Sequence, residues 1–431
     1  MPWQIFLNVV ILASTLSLVI WGPKSNSIFG FYALGGALLT LATGVTNLAS
    51  FPAFAWVVLA NTTFTLVGLI GVSWILQQTG IFRWLGLRLA YLPLGNGPLL
   101  FVILLLITSA IASIFTNYGA VLLFLPIVIE LLVLLRFSST ETFAFVFAVG
   151  LIADTSSLPL TISNLVNTIT ASSSSISFSN YAGVMFPVNL VAIAATIAVL
   201  LFYFWPSIPP RYQPFDLTRN GFQPALPARI INLPKPEDVG QSSSAEKRQN
   251  FPSISTFFYR KNLVSKASKI AYLLFHPFFQ IVLFSWGTFV LILGINNNFP
   301  LTPLQFLLTQ IERWGLALTI VATGFIASFT SAIFTNLPTA LIDSLAIQLA
   351  PITETNIREA AIYANVIGCA IAAKITPIGS LSALFWFYIL KSRGIQITWW
   401  NYCRLSFTLI LPIWFVTILS LIIWLSWLQV G

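Results

Sequence analysis

Charge is nearly missing from this chain: Asp, Glu, Lys and Arg together make up 7% of its 431 residues. A soluble domain carries about 25% charged residues, so a water-exposed globular fold is excluded. Cysteine occurs twice, at Cys369 and Cys403, which is too few for a disulfide framework or a zinc cage. The single histidine, His276, reads as an interfacial side chain at a helix start rather than a proton relay. No Gly-x-x-x-x-Gly-Lys-[Ser/Thr] loop occurs, and no soluble stretch could house one, so the chain itself does not hydrolyse nucleotide. An enzyme is not expected, nor a metal or cofactor.

Apolar residues fill the space that charge leaves. They make up 57% of the sequence, and mean hydropathy is +0.91. Runs of about 18 residues, enough to cross the roughly 30 Å hydrocarbon layer, recur from end to end. Clear spans are 3–21, 29–46, 54–77, 183–205, 277–295, 314–334 and 405–428. Three more stretches, 98–135, 142–169 and 358–391, are too long or too broken for one helix. The expected fold is an all-α polytopic membrane protein with about ten crossings. The first run lacks a basic start and a small-residue cleavage site, and is expected to be a retained helix.

Net charge is +9, and ten of the 20 basic residues lie in one polar stretch, 206–273. In a membrane protein such an excess marks the cytoplasmic side rather than a nucleic-acid site. The chain therefore divides into an N-terminal transmembrane half (1–205), a cytoplasmic linker (206–273) and a C-terminal transmembrane half (274–431). Pro234 to Ser255 has a flexible-linker composition. The basic residues from Arg260 to Lys269, beside Phe257, Phe258 and Tyr259, suit anionic headgroups.

Inside the apolar stretches one tetrapeptide occurs twice: Ile114-Phe115-Thr116-Asn117 returns as Ile333-Phe334-Thr335-Asn336, 219 positions on (336 − 117). Each copy precedes an apolar stretch broken by Pro and small polar residues, around Pro159 with Ser163 and Asn164, and around Pro377 with Thr376 and Ser380. The two prolines are 218 apart (377 − 159). The segment 61–84 has a weaker counterpart in 277–305. Broken helices in matched halves are the signature of a secondary transporter built from two inverted-topology repeats with re-entrant hairpins, binding solute between them. Unwound backbone survives at membrane depth only where protein or a water-filled cavity covers it. The bland alternative is that Ser, Thr and Asn merely glue helices together, and duplication in matched positions argues against it. Thr116, Asn117, Ser163, Asn164, Thr335, Asn336, Thr376 and Ser380 are therefore the candidate solute-binding residues. They offer hydroxyl and amide groups without charge, which suits a small neutral or weakly anionic polyhydroxy solute.

Intramembrane charge is costly and marks function by default. Asp154 and Lys374 sit in the two broken stretches, on opposite repeats, and can meet as an interface ion pair or serve coupling. Asp343 lies about two helical turns beyond Asn336.

Ala153-Asp-Thr-Ser-Ser-Leu-Pro-Leu-Thr-Ile-Ser-Asn-Leu-Val-Asn167 and Tyr181-Ala-Gly-Val-Met-Phe-Pro-Val-Asn189 closely resemble the arsenite efflux permeases, the arsenical pump membrane proteins of the ion transporter superfamily. Tyr363-Ala-Asn-Val-Ile-Gly-Cys369 and Lys374-Ile-Thr-Pro-Ile-Gly-Ser-Leu381 do so as well, and similarity runs through 5–205 and 276–425. The resemblance implies a multi-pass inner-membrane antiporter that exports arsenite or antimonite as neutral trihydroxy species in exchange for protons. It also allows a homodimer and an ATPase subunit as partners. Three departures stand out. Asn117 is followed by Tyr118 where the family commonly has an acid. Ala370-Ile-Ala-Ala precedes Lys374 where the family has an acid and Gly-Pro. A helix pair expected between about 215 and 275 is replaced by the linker. These departures leave Asp154 as the leading coupling carboxylate, with Asp343 as its substitute. Two rivals remain: the same fold carrying a carboxylate or exchanging Na⁺ for protons, and a non-transporting scaffold descended from the permease.

Overall fold

Lipid offers no partner for backbone N–H and C=O groups, so a chain this apolar must close its hydrogen bonds within helices or a closed barrel. In the computed structural model it does so with helices; residues 2–21, 29–46, 95–213, 277–298, 302–392, 394–395 and 397–430 are described, with scattered positions of 60–89. Most of the expected span 54–77 and of 61–84, His276 and the linker beyond residue 213 lie outside the described residues. No strand occurs among the described residues.

The first half contains α1 (Pro2–Trp21), α2 (Phe29–Ala42), α3 (Gly97–Ile114), α4 (Asn117–Leu134), α5 (Ser139–Thr155), α6 (Leu165–Ser173) and α7 (Phe178–Phe204). The second contains α8 (Pro277–Asn298), α9 (Thr302–Glu312), α10 (Gly315–Phe334), α11 (Asn336–Leu349), α12 (Thr355–Ile371), α13 (Leu381–Ser392) and α14 (Trp399–Val430). Among the described residues, five helices are long and apolar enough to cross a membrane: α3, α4, α7 with its short extension to Ser207, α10 and α14. Shorter apolar helices include α2 and α13.

Local sequence sets the helix ends. Asn96 accepts from Leu99 N–H at 2.9 Å and starts α3, with Pro98 in the first turn. Ser138 and Glu141 form a reciprocal capping box at α5. Pro126 has no N–H to donate, and the turn before it, Ala120–Phe124, is π-helical. The breaks follow the motifs. α3 ends at Ile114 and α4 begins at Asn117, while α10 ends at Phe334 and α11 begins at Asn336. α5 and α6 are separated by 156–164. A 3₁₀ turn, Ala372–Ile375, and residues 376–380 separate α12 from α13.

Small residues decide how closely the helices approach. A Cβ on Gly368 of α12 would lie 2.6 Å from Gly324 O and 2.7 Å from Ala327 Cβ of α10. This is the close small-residue crossing that membrane helices favour. Gly368→Ala is expected to cost about 1–3 kcal/mol by overpacking, whereas Gly183→Ala, which meets nothing within 4 Å, leaves stability unchanged. Thermal unfolding in detergent checks this, and equal melting of the two variants would show slack between α10 and α12.

The bundle has two distinct ends. At one, Phe137 packs on Tyr212 and Phe147 on Phe204, with ring centroids 5.6 and 6.1 Å apart. At the other, Glu312 Oε1 accepts from Thr353 N at 2.6 Å, which ties the turn after α9 to the loop before α12. α7 and α14 run antiparallel between these ends: Trp424 Nε1 donates to Gly183 O at 3.3 Å, and Phe147, at the Phe204 end of α7, meets Tyr402 with ring centroids 5.8 Å apart.

Candidate functional site

Both Thr-Asn tips dock on a broken stretch of their own half through the same backbone bond. Asn117 N donates to Ser163 O at 3.2 Å, and Asn336 N donates to Gly379 O at 2.8 Å. Each bond occupies a carbonyl that the break has released from helical pairing, so the tip helps satisfy its own half's irregular backbone.

The charges meet between the halves. Lys374 Nζ lies 3.1 Å from Asp154 Oδ2, with both side chains buried, and Lys374 also donates to Gly150 O. The Asp154 carboxylate collects three further donors. Asn117 Nδ2 reaches Oδ1 at 2.7 Å, Ser380 Oγ reaches Oδ2 at 3.1 Å, and Ser382 Oγ lies 2.8 and 2.6 Å from the two oxygens. Three of the four predicted elements are represented there, a tip of the first half, a break of the first half and the break of the second, while the second tip, Thr335-Asn336, is not. A buried carboxylate is tolerated only when paired and hydrogen-bonded in this way.

The remaining predicted residues divide into local and unspent groups. Thr116 Oγ1 accepts from Gly119 N at 2.9 Å, so it caps its own turn. Asn164 caps α6 through Val166 N at 3.0 Å and donates to Ser157 Oγ at 3.1 Å. Ser163 Oγ donates to Leu160 O at 2.7 Å. Thr376 Oγ1 donates to Ala332 O at 2.5 Å and accepts from Gly379 N at 3.1 Å. Thr335 takes a left-handed φ of 73°, strain that a non-glycine residue sustains only where its surroundings hold it. The buried Asn336 Oδ1 finds no partner. Asp343 is not drawn to the ion pair; Thr330 Oγ1 donates to it at 3.5 Å.

Two residues escaped sequence reasoning. Ser382 sits two positions beyond Ser380 at the start of α13, and that Ser-x-Ser spacing was the available signal. Asn167 lies one turn beyond Asn164; its Nδ2 donates to Ser157 O at 2.8 Å and Leu160 O at 2.9 Å, while its Oδ1 is buried without a partner. Among the described residues no group of His, Cys, Asp and Glu could hold a metal ion. The arrangement offers neutral donors and acceptors around one internally neutralised charge pair, which suits binding and rearrangement rather than bond chemistry.

Comparison with known proteins gives one consistent result. The profile of a family described as "Arsenical pump membrane protein" matches residues 7–222 and 251–425. The chain is 37% identical over 423 residues to an Escherichia coli protein named "Arsenical pump membrane protein", covering 96% of this chain and 97% of that one. A Yersinia enterocolitica protein of the same name is 36% identical over 423 residues, with the same coverage.

Proposed function

Since this chain belongs to the arsenical pump membrane protein family, we propose that it exports arsenite and antimonite, as neutral trihydroxy species, across the plasma membrane in exchange for protons. The observation that carries this reading is the matched docking of two uncharged Thr-Asn tips on two broken stretches, Asn117 on Ser163 and Asn336 on Gly379. A solute without charge needs hydrogen-bond donors and acceptors rather than a counter-ion, and Thr, Asn and Ser supply both. We read the two halves as repeats of inverted topology. α3 and α4 then form a hairpin entering from the end that carries Arg136, and α10 and α11 one entering from the end that carries Glu312.

Asp154 and Lys374 act in this reading as the lock that holds the two halves in register. Four donors already engage the Asp154 carboxylate. Solute binding and movement of the halves exchange Asn117 and Ser380 from Asp154 to the solute hydroxyls. Asp343, the other buried carboxylate among the described residues, is then the proton carrier. It stands beside Thr330 on the second hairpin, where an uncompensated charge is costly.

Everted membrane vesicles test both statements. Arsenite uptake by vesicles carrying this chain should require an imposed pH gradient and exceed that of vesicles without it. Asp343→Asn should retain arsenite binding but lose the response to the gradient. Gradient-driven uptake unchanged in Asp343→Asn would remove the coupling role, and no uptake by the native chain would remove the export reading.

A further inference from the structure

Two helices, α6 and α11, carry polar side chains at regular intervals along faces that meet, and α12 adds one more. On α11 the residues Asn336, Ala340, Ser344 and Gln348 follow one another at four-residue steps, which places them in one stripe. Its 12 helical steps (348 − 336) span about 18 Å at 1.5 Å per step. On α6 the corresponding series is Asn167, Thr170 and Ser173, at three-residue steps, and α12 contributes Asn365. The stripes of α6 and α11 touch across the interface between halves, and α12 joins α11 within the second half. Ser344 Oγ donates to Thr170 Oγ1 at 3.3 Å, Asn365 Nδ2 to Ser344 Oγ at 3.2 Å, and Gln348 Nε2 to Ser173 O. Thr170, Ser344 and Asn365 are fully buried. Buried hydroxyls and amides are tolerated because they are hydrogen-bonded to one another, and a row of them between two halves also offers donors and acceptors to a passing solute.

The stripe has an open end and an acceptor-rich end. At Gln348 and Ser173 it meets a cavity of about 440 Å³ that Asn180, Arg358 and Tyr363 also line, within the usual range for small-molecule sites of about 300–1,000 Å³. At the other end are Asn336 and Asn167, whose buried amide oxygens lack donors. Orphaned buried acceptors call for a donor, and a solute bearing several O–H groups supplies donors where a carboxylate, which only accepts, does not.

Sidedness follows from the charges. The cavity adjoins Asn180 near the start of α7, whereas the basic linker follows that helix's end. Arg136, in a short connection, and Lys391, in the last turn of α13, lie at the linker's end of the bundle, and the cavity end carries Glu312, Glu354 and Glu359 against Arg313 and Arg358. Positive charge marks the cytoplasmic side, so the cavity opens to the exterior. The cytoplasmic end is closed by Phe147, Trp386 and Tyr402, whose ring centroids lie 5.6–5.8 Å apart.

We propose that the cavity and the stripe leading to it form the exit path for a small, uncharged, multiply hydroxylated solute, with Ser344, Thr170 and Asn365 as its contacts between the tips and the exterior. The proposal rests on the export reading and adds the route, its contacts and the face to which it opens.

The test uses Gln348→Cys in a full-length chain whose Cys369 and Cys403 are replaced by Ser. Intact cells are treated with a small, sulfonated, membrane-impermeant maleimide, everted vesicles are prepared, and arsenite uptake is compared with that of untreated Gln348→Cys vesicles. The thiol should react from the outside, and uptake should then fall to the level of vesicles lacking the chain. Because the reagent acts on folded protein, misfolding does not mimic this result. A thiol that reacts only from the cytoplasmic face, or full modification with uptake unchanged, overturns the path while leaving the export reading intact. Ser344→Leu gives a second arm: solute release should slow while Ser344→Thr, which keeps the hydroxyl, transports, and equal rates in the two variants would also overturn the path. Absence of arsenite uptake by the untreated chain defeats the export reading itself, and the path with it.

Discussion

Lys374→Met should lower the unfolding free energy of this protein by about 3–5 kcal/mol, because it leaves the Asp154 carboxylate buried without its cation. Asn117, Ser380 and Ser382 would still donate to Asp154, but neutral donors do not cancel a charge far from water. The companion variant decides the cause. In Asp154→Asn/Lys374→Met no charge is left at this site, and replacing a buried pair by uncharged groups of similar size is often near neutral. Most of the lost stability should therefore return. Thermal unfolding in detergent measures both. If the double variant melts as low as Lys374→Met, the loss comes from packing around Gly150 and Trp386 rather than from an orphaned charge. If Lys374→Met melts like the native protein, the pair does not lock the halves at all.

Asn336→Ala should abolish arsenite resistance in a strain lacking its own exporter, without reducing the amount of chain in the membrane. The side-chain oxygen of Asn336 has no partner within the protein, so its removal costs the fold little and can even relieve a buried unsatisfied group. Its loss falls on the solute instead, at about 1–3 kcal/mol for an unmade hydrogen bond in a buried site. Asn117→Ala should also lose resistance, but with a stability cost, since that amide holds Asp154 at 2.7 Å. The contrast between the two tips is the informative part. Resistance retained by both variants would mean that the tips serve only to pack the breaks, and melting that drops equally in both would mean that the Asn336 amide is structural after all.

Much of this was legible in one dimension. Scarce charge and long apolar runs place the chain in a membrane because the bilayer sets a minimum length for every apolar element. The duplicated Ile-Phe-Thr-Asn and the paired prolines are the sequence's argument for two related halves, because a constant offset survives in the sequence whatever the fold does with it. Asp154 and Lys374 stand out because so few charges exist in the broken stretches. The helix breaks also followed local signals, since Thr-Asn turns, Pro and small polar residues stop helices without help from distant partners. Sequence also suggested that all eight tip and break residues face a solute. In the folded chain Thr116, Ser163, Asn164 and Thr376 spend their side chains on neighbouring backbone or side chains, and Asn336 does not.

Membrane class, the positions of the breaks and the identity of the buried charges were thus determined by sequence alone, since hydropathy and helix-stopping chemistry are both local. The tertiary structure decided partnership: Asn117 with Asp154 across 37 positions, Ser382 with Asp154 across 228, and Ser344 with Thr170 across 174. It also decided which amides remain unspent, and that polar residues on α6, α11 and α12 share one seam. The physical reason is rotation. Each helix turns about 100° per residue, so which side chains face one another depends on how distant helices pack, and that packing is set by small residues such as Gly324 and Gly368 and by the ion pair between the halves.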